Sequence, residues 1–221
     1  MSGSGHDDHG DGHGAGEIPE TLDAVVALID HDKIYEQYLM MSGKYKDALE
    51  REAVQEMIKT LPSKFDVKKA YAGLGDFYAA LRGFDLAEEN AEYGRTQAIS
   101  EVKQLLNQMF KREGQAAGYG SNAGLRHALD RIKKGEGEKI LETLRDQVTD
   151  SYLAEFRHKH LEEKLGVDLL DPKNKYKLAE VYAKAKDGEA VDHQENIVGL
   201  IYHEANEKLR VNAPEYAPAE H

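Results

Sequence analysis

Tyr71-Ala72-Gly73-Leu74-Gly75-Asp76-Phe77-Tyr78 decides the fold, because it sets two glycines and an alanine inside a run with helical periodicity. From Val67 to Leu81 the apolar residues Val67, Ala70, Tyr71, Leu74, Phe77, Tyr78 and Leu81 recur at spacings of three and four, the stripe of an amphipathic helix. Gly83 ends it. A glycine inside a helix costs about 1 kcal/mol against alanine, so Gly73 and Gly75 imply that a neighbouring helix comes too close for a side chain. Phe84, Leu86, Ala87, Ala91, Ala98 and Ile99 give the next segment its own stripe, and Ala87, Ala91 and Gly94 allow close approach. The expectation is an antiparallel helical hairpin.

Tyr71, Leu74-Gly75, Tyr78 and, nine residues on, Ala87 resemble the tetratricopeptide pattern of aromatic-x-x-Leu-Gly-x-x-Tyr with a later alanine. Ala91 and Ile99 depart from it where a large aromatic and a closing proline are expected. Gly43-Lys44-Tyr45-Lys46-Asp47-Ala48-Leu49-Glu50 is similar to the second-helix entry of the same family, and Tyr45-x-x-Ala48 returns as Phe84-x-x-Ala87 after 39 residues. The family interval is about 34, and the proline-bearing connector Leu61 to Asp66 can hold the difference. The resemblance spans roughly residues 30 to 100 and implies stacked helical hairpins. It also implies a concave face on which Tyr35, Tyr38, Tyr71 and Tyr78 either bind a peptide or pack between helices. The face bearing Ala72 and Asp76 carries no Lys-and-Asn clamp for a chaperone tail.

A chain of 221 residues, 40% hydrophobic and 32% charged, is long enough for one or two domains with a sizeable core. Its net charge of −12 opposes nonspecific binding to nucleic acid or an anionic membrane, since phosphate contacts need clustered Lys and Arg. Lys133-Lys134 and the lysines from Lys173 to Lys177 are too few to reverse that. The sequence has no cysteine, which removes disulfides, thiolate metal sites and cysteine nucleophiles. No segment is long and apolar enough to span a membrane. The start has neither the apolar core of a signal peptide nor the basic character of a transit peptide. The expected location is intracellular and cytoplasmic, with an organelle interior such as the mitochondrion as the alternative.

Outside the hairpin, Thr21 can cap a helix carrying Leu22, Val25, Val26 and Ile29. A further stripe through Ile34, Tyr35, Tyr38, Leu39 and Met41 is expected to end at Ser42-Gly43, with Tyr45, Leu49, Ala53, Met57 and Ile58 on the next helix. Ile140, Leu141, Leu144, Val148, Tyr152, Leu153, Phe156, Leu161 and Leu165 form one long stripe closed by Gly166. A helix so long, left exposed, wants a partner. Asp171-Pro172 opens another helix, and Ile197, Val198, Ile201, Ala205 and Leu209 mark the last. The expected fold is all-α, with tetratricopeptide-like antiparallel hairpins followed by a long-helix C-terminal half. The expected divisions are a Gly/His/Asp tail at 1–17, hairpins at 18–113, a Gly-rich connector at 114–124, a helical region at 125–210 and an irregular tail at 211–221.

The candidate chemistry is sparse. His6, His9 and His13 among Asp7, Asp8 and Asp11 could chelate a transition metal, or form a solvated tail. Glu155-x-x-His158 has the helical spacing of di-iron bundles but no second copy. His158 and His160 point about 200° apart on a helix, and His193 and His203 stand about 15 Å apart along one. The first pair therefore reads as a solvated helix face, and the second is too far apart to hold one metal. Gly118-Tyr119-Gly120 lacks the strand and the Gly-Lys-Ser/Thr of a phosphate loop, and Ser121 and Ser151 lack a nucleophile elbow. No catalytic, cofactor or metal residue is assigned. The expected function is a noncatalytic scaffold or adaptor within a multiprotein assembly, with metal binding or delivery by the His/Asp tail as the alternative.

Overall fold

The computed structural model describes residues 16–112, 122–187 and 196–212, with the side chains of 111–112 and 209–212 left out. The described residues are all-helical: α1 Leu22–Ala27, α2 His31–Leu49, α3 Glu52–Thr60, α4 Val67–Arg82, α5 Ala91–Arg112, α6 Ala123–Lys133, α7 Gly137–Leu165, α8 Pro172–Ala185 and α9 Ile197–Asn212. Several ends are capped, at Thr21 and Asp171 as the sequence announces and at Asp66 as only the structure shows. Thr21 Oγ1 accepts from the Ala24 N–H, Asp66 from those of Lys68 and Lys69, and Asp171 from that of Lys173, each satisfying a donor that the first turn leaves free. Gly83 and Gly166 close α4 and α7 at φ of 75° and 66°, a left-handed conformation that suits glycine.

Two boundaries differ from expectation. α2 runs through Ser42-Gly43 without a break and stops at Leu49; Glu50 and Arg51 part it from α3. The segment from Phe84 to Asn90 is not helical. There the Asp85 carboxylate accepts from the Ala87 N–H at 2.8 Å and the Ala87 carbonyl from the Asn90 N–H at 2.8 Å, turns that compete with the helix ladder. Tyr45-x-x-Ala48 therefore lies in the last turns of α2, whereas Phe84-x-x-Ala87 precedes α5.

The chain forms two compact units, one of Met1–Tyr35 with Ala154–His221 and the other of Glu36–Leu153. These cut across the divisions expected at residues 113 and 125. In the first unit Ile18, Leu22, Val25, Val26 and Ile29 are buried in one cluster with Leu161, Leu165, Leu178, Ile197 and Ile201. The short α1 thus finds apolar cover on helices near the far end of the chain.

In the second unit α4 is the most enclosed element, with Gly73 through Ala79 all buried. Its stripe is covered on more than one side. A Cβ on Gly73 would lie 2.8 Å from Met57 Cβ, and one on Gly75 would lie 2.9 Å from Ile99 Cγ1, so α3 and α5 both press on α4 where the glycines stand. Tyr71 lies beside Lys103 of α5, and Gly75 and Asp76 lie beside Arg95. Gly124, expected in the connector, is instead buried in the first turn of α6, where its missing side chain lets α6 approach the backbone at Asn107.

The long α7, with 29 residues, closes at Gly166 as expected, but its stripe is not left for a partner. Ile140, Leu141, Leu144 and Val148 are buried in the second unit and Leu161 and Leu165 in the first.

Candidate functional site

A partly buried set of bonded polar groups lies between α4 and α5. Gly75 lets Arg95 pass close to α4, and its guanidinium grips Asp76 with two bonds, Nε to Oδ1 at 2.5 Å and Nη2 to Oδ2 at 3.1 Å. Asp76 is 8% exposed, so this carboxylate depends on that fork. The same bond holds Arg95 further toward its charged form. Along α4, Tyr78 donates to Glu101 Oε2 at 2.7 Å, and burial followed by that bond pushes its hydroxyl up to about 12. Tyr78 stays a neutral donor across the physiological range. The arrangement can fix the register of α4 on α5; every polar member is already engaged by another.

A second polar group is buried in the first unit. His160 is 4% exposed, stacks on Phe156 at 6.0 Å, and accepts from the Asp30 backbone N–H through Nε2 at 3.0 Å. The bond requires the neutral ring, with its proton on Nδ1. Desolvation is the largest cause holding His160 below its ordinary value, and Lys164 adds to it. Expected on a solvated face, His160 instead ties α7 to the residue that precedes α2. Nearby, Tyr202 is 1% exposed under the Arg157 guanidinium, and burial raises its hydroxyl.

The third feature is a groove of about 540 Å³ among α1, α8 and α9. Lys208 pairs with Asp23, and Lys186 Nζ lies 2.6 Å from Glu204 Oε1, so opposite charges line it in alternation. Such a lining suits no single-sign ligand.

Of the four tyrosines, Tyr78 belongs to the core, Tyr71 is half-buried with Lys103 Nζ 5.0 Å from its ring centre, and Tyr35 and Tyr38 are half-buried on α2. His158 Nδ1 stands 3.4 Å from Glu162 Oε1, and Glu155 pairs with Lys159 at 3.0 Å. His203 and Ser151 are exposed. No group of three metal-ligating side chains occurs among the described residues. His6, His9, His13, His193, Ser121 and Gly118-Tyr119-Gly120 lie outside the described residues. No helix among the described residues is long and apolar enough to cross a membrane.

The sequence reading missed Arg95 as the partner of Asp76 and Asp30 as the partner of His160. A signal existed for the first: a lone carboxylate inside the small, apolar run from Ala70 to Ala79 needs a cation from a neighbouring helix. None existed for the second, whose partners are 130 residues apart.

No protein-family model matches the chain, and neither a curated protein nor a solved structure matches it.

Proposed function

We propose that this chain is a noncatalytic helical scaffold or adaptor acting inside the cell, an accessory structural subunit of a larger multiprotein assembly. The observation that carries this reading is the outward side of α2, where Leu39 and Met40 stand 50% and 38% exposed on adjacent positions. Large apolar side chains presented on a preformed helix are the kind of anchors that protein interfaces bury. The polar constellations are consistent with a scaffold, because Asp76, Arg95, Tyr78 and His160 are each engaged in holding one helix to another segment. The tetratricopeptide-like reading of α4 agrees with such a role, since that family uses helical surfaces to hold other proteins.

Affinity capture of the tagged chain from its source cells, with the captured proteins quantified by mass spectrometry, tests the proposal. Reproducible recovery of partners in fixed ratio to the chain is the expected result; recovery of the chain alone rejects it. The second reading, metal binding by the tail, is favoured by three imidazoles among three aspartates in the first 13 residues. It expects zinc or copper binding at roughly micromolar Kd that vanishes when His6, His9 and His13 are replaced. An unchanged titration in that variant removes it.

A further inference from the structure

Gly43 stands inside α2, and a Cβ added there would meet nothing among the described residues within 4 Å. Gly73, Gly75, Gly94 and Gly124 each face a neighbour too close for a side chain, so packing within the chain explains them and does not explain Gly43. At 3.6 residues per turn, Glu36, Leu39, Met40, Lys46 and Asp47 all fall within about 60° of Gly43 around the helix axis, and Glu50, just past the end of α2, continues the ladder with its N–H on the Lys46 carbonyl. All six, and Gly43 itself, are exposed. They form one continuous strip at the i, i+3, i+4, i+7 spacing by which helices meet.

The strip has a definite character. Leu39 and Met40 are its apolar middle, Gly43 is a hollow one turn further on, and the ends carry three carboxylates, Glu36, Asp47 and Glu50, against the single ammonium of Lys46. A glycine on a helix face lets a second backbone approach closely. It weakens the isolated helix, so its use lies in what it admits.

We infer that this face seats a basic amphipathic helix of a different protein. The backbone of that helix closes on Gly43 beside Leu39 and Met40, and its Lys or Arg side chains meet Glu36, Asp47 and Glu50. A second copy of the chain fits poorly, because self-pairing would bring the same carboxylates against one another. The inference rests on the adaptor reading and names the class of partner.

The test uses the full chain and two fluorescently labelled helical peptides of the same Leu/Ala pattern, one with lysine and the other with glutamate on the polar face, followed by anisotropy. The lysine peptide binds at least about tenfold more tightly. Leu39→Ser with Met40→Ser, and separately Gly43→Gln, each weaken it by at least about tenfold while the helical circular dichroism is unchanged. Tyr93→Ser, a control at another exposed large side chain, leaves the affinity as it was. Equal binding of both peptides, or the same affinity in the α2 variants, overturns the inference. So does a concentration-dependent dimer that Leu39→Ser with Met40→Ser abolishes, which assigns the face to self-association. If the double variant still captures the wild-type chain's cellular partners in full, the face is wrong and the adaptor reading stands. If the wild-type chain captures none, both fall.

Discussion

Replacing Gly43, Gly73 and Gly124 with alanine, one at a time, gives three results set by what each new methyl group meets. At Gly43 the methyl meets no atom of the described residues within 4 Å. The helix gains roughly the difference between alanine and glycine, about 1 kcal/mol, which for a chain of this size raises Tm by about 2–4 °C. At Gly73 the methyl lies 2.8 Å from both Met57 Cβ and Sδ and 3.1 Å from the Ala53 carbonyl oxygen. The sulfur can swing aside; the Cβ and the carbonyl move only if α3 moves. Overpacking of about 1–3 kcal/mol then exceeds the same helical gain, leaving a net loss of about 1 kcal/mol. At Gly124 the methyl falls on the Leu106 carbonyl oxygen and 2.6 Å from Asn107 Cα, both backbone atoms. No rotamer relieves that contact, and the loss is about 3 kcal/mol. Urea unfolding followed by circular dichroism at 222 nm, a wavelength at which helices absorb, reads the series. The expected order is Gly43→Ala above wild type, then Gly73→Ala, then Gly124→Ala. A Gly124→Ala protein as stable as Gly43→Ala refutes the close approach of α6 to α5.

Asp76→Ala leaves Arg95 without its carboxylate and costs about 1–3 kcal/mol, an amount reduced because Arg95 is 38% exposed; a double-mutant cycle with Arg95→Met should show the two losses to be strongly non-additive. Tyr78→Phe removes the bond to Glu101 and costs about 1 kcal/mol; because Tyr78 is pushed up to about 12, the absorbance titration of tyrosinate at 295 nm should show the same number of phenols ionising near pH 10 in wild type and variant, and one more in wild type would show Tyr78 to be free. His160 makes stability depend on pH: its folded value lies below the ordinary value of about 6.5, so the unfolded chain takes up the proton first. The contribution is whole above the unfolded value and is lost as pH falls from there toward the folded one. His160→Gln, which keeps an acceptor for the Asp30 N–H, should flatten that part of the denaturation profile, and an unchanged slope between pH 7 and 5 would show that His160 does not carry it.

The helices were legible wherever a stripe and a cap agreed. Gly83 closes α4, and Asp171-Pro172 opens α8, by chemistry that acts within one turn. Gly73 and Gly75 also announced the close neighbours that α3 and α5 supply. The break expected at Gly43 failed because a glycine weakens a helix without ending it, and the left-handed turn that does end one appears at Gly83. The start expected near Phe84 failed because Asp85 bonds its own backbone two residues on. What joins distant segments was not legible. The stripe on α7 announced burial without saying that the chain itself supplies the cover, and nothing local joins Leu22 and Val25 to Ile197 and Ile201. The candidate site followed the same rule: Asp76 could be read as needing a cation, whereas the exposed strip around Gly43 became visible only once α2 was seen to run through it.

The mass of the native chain, released gently from its source cells and weighed intact by native mass spectrometry, tests the central claim most directly. A defined complex well above the 24.7 kDa of one chain, with a different protein present in fixed ratio, is the expected result. A single species at the mass of the chain alone contradicts the reading of this protein as an accessory subunit.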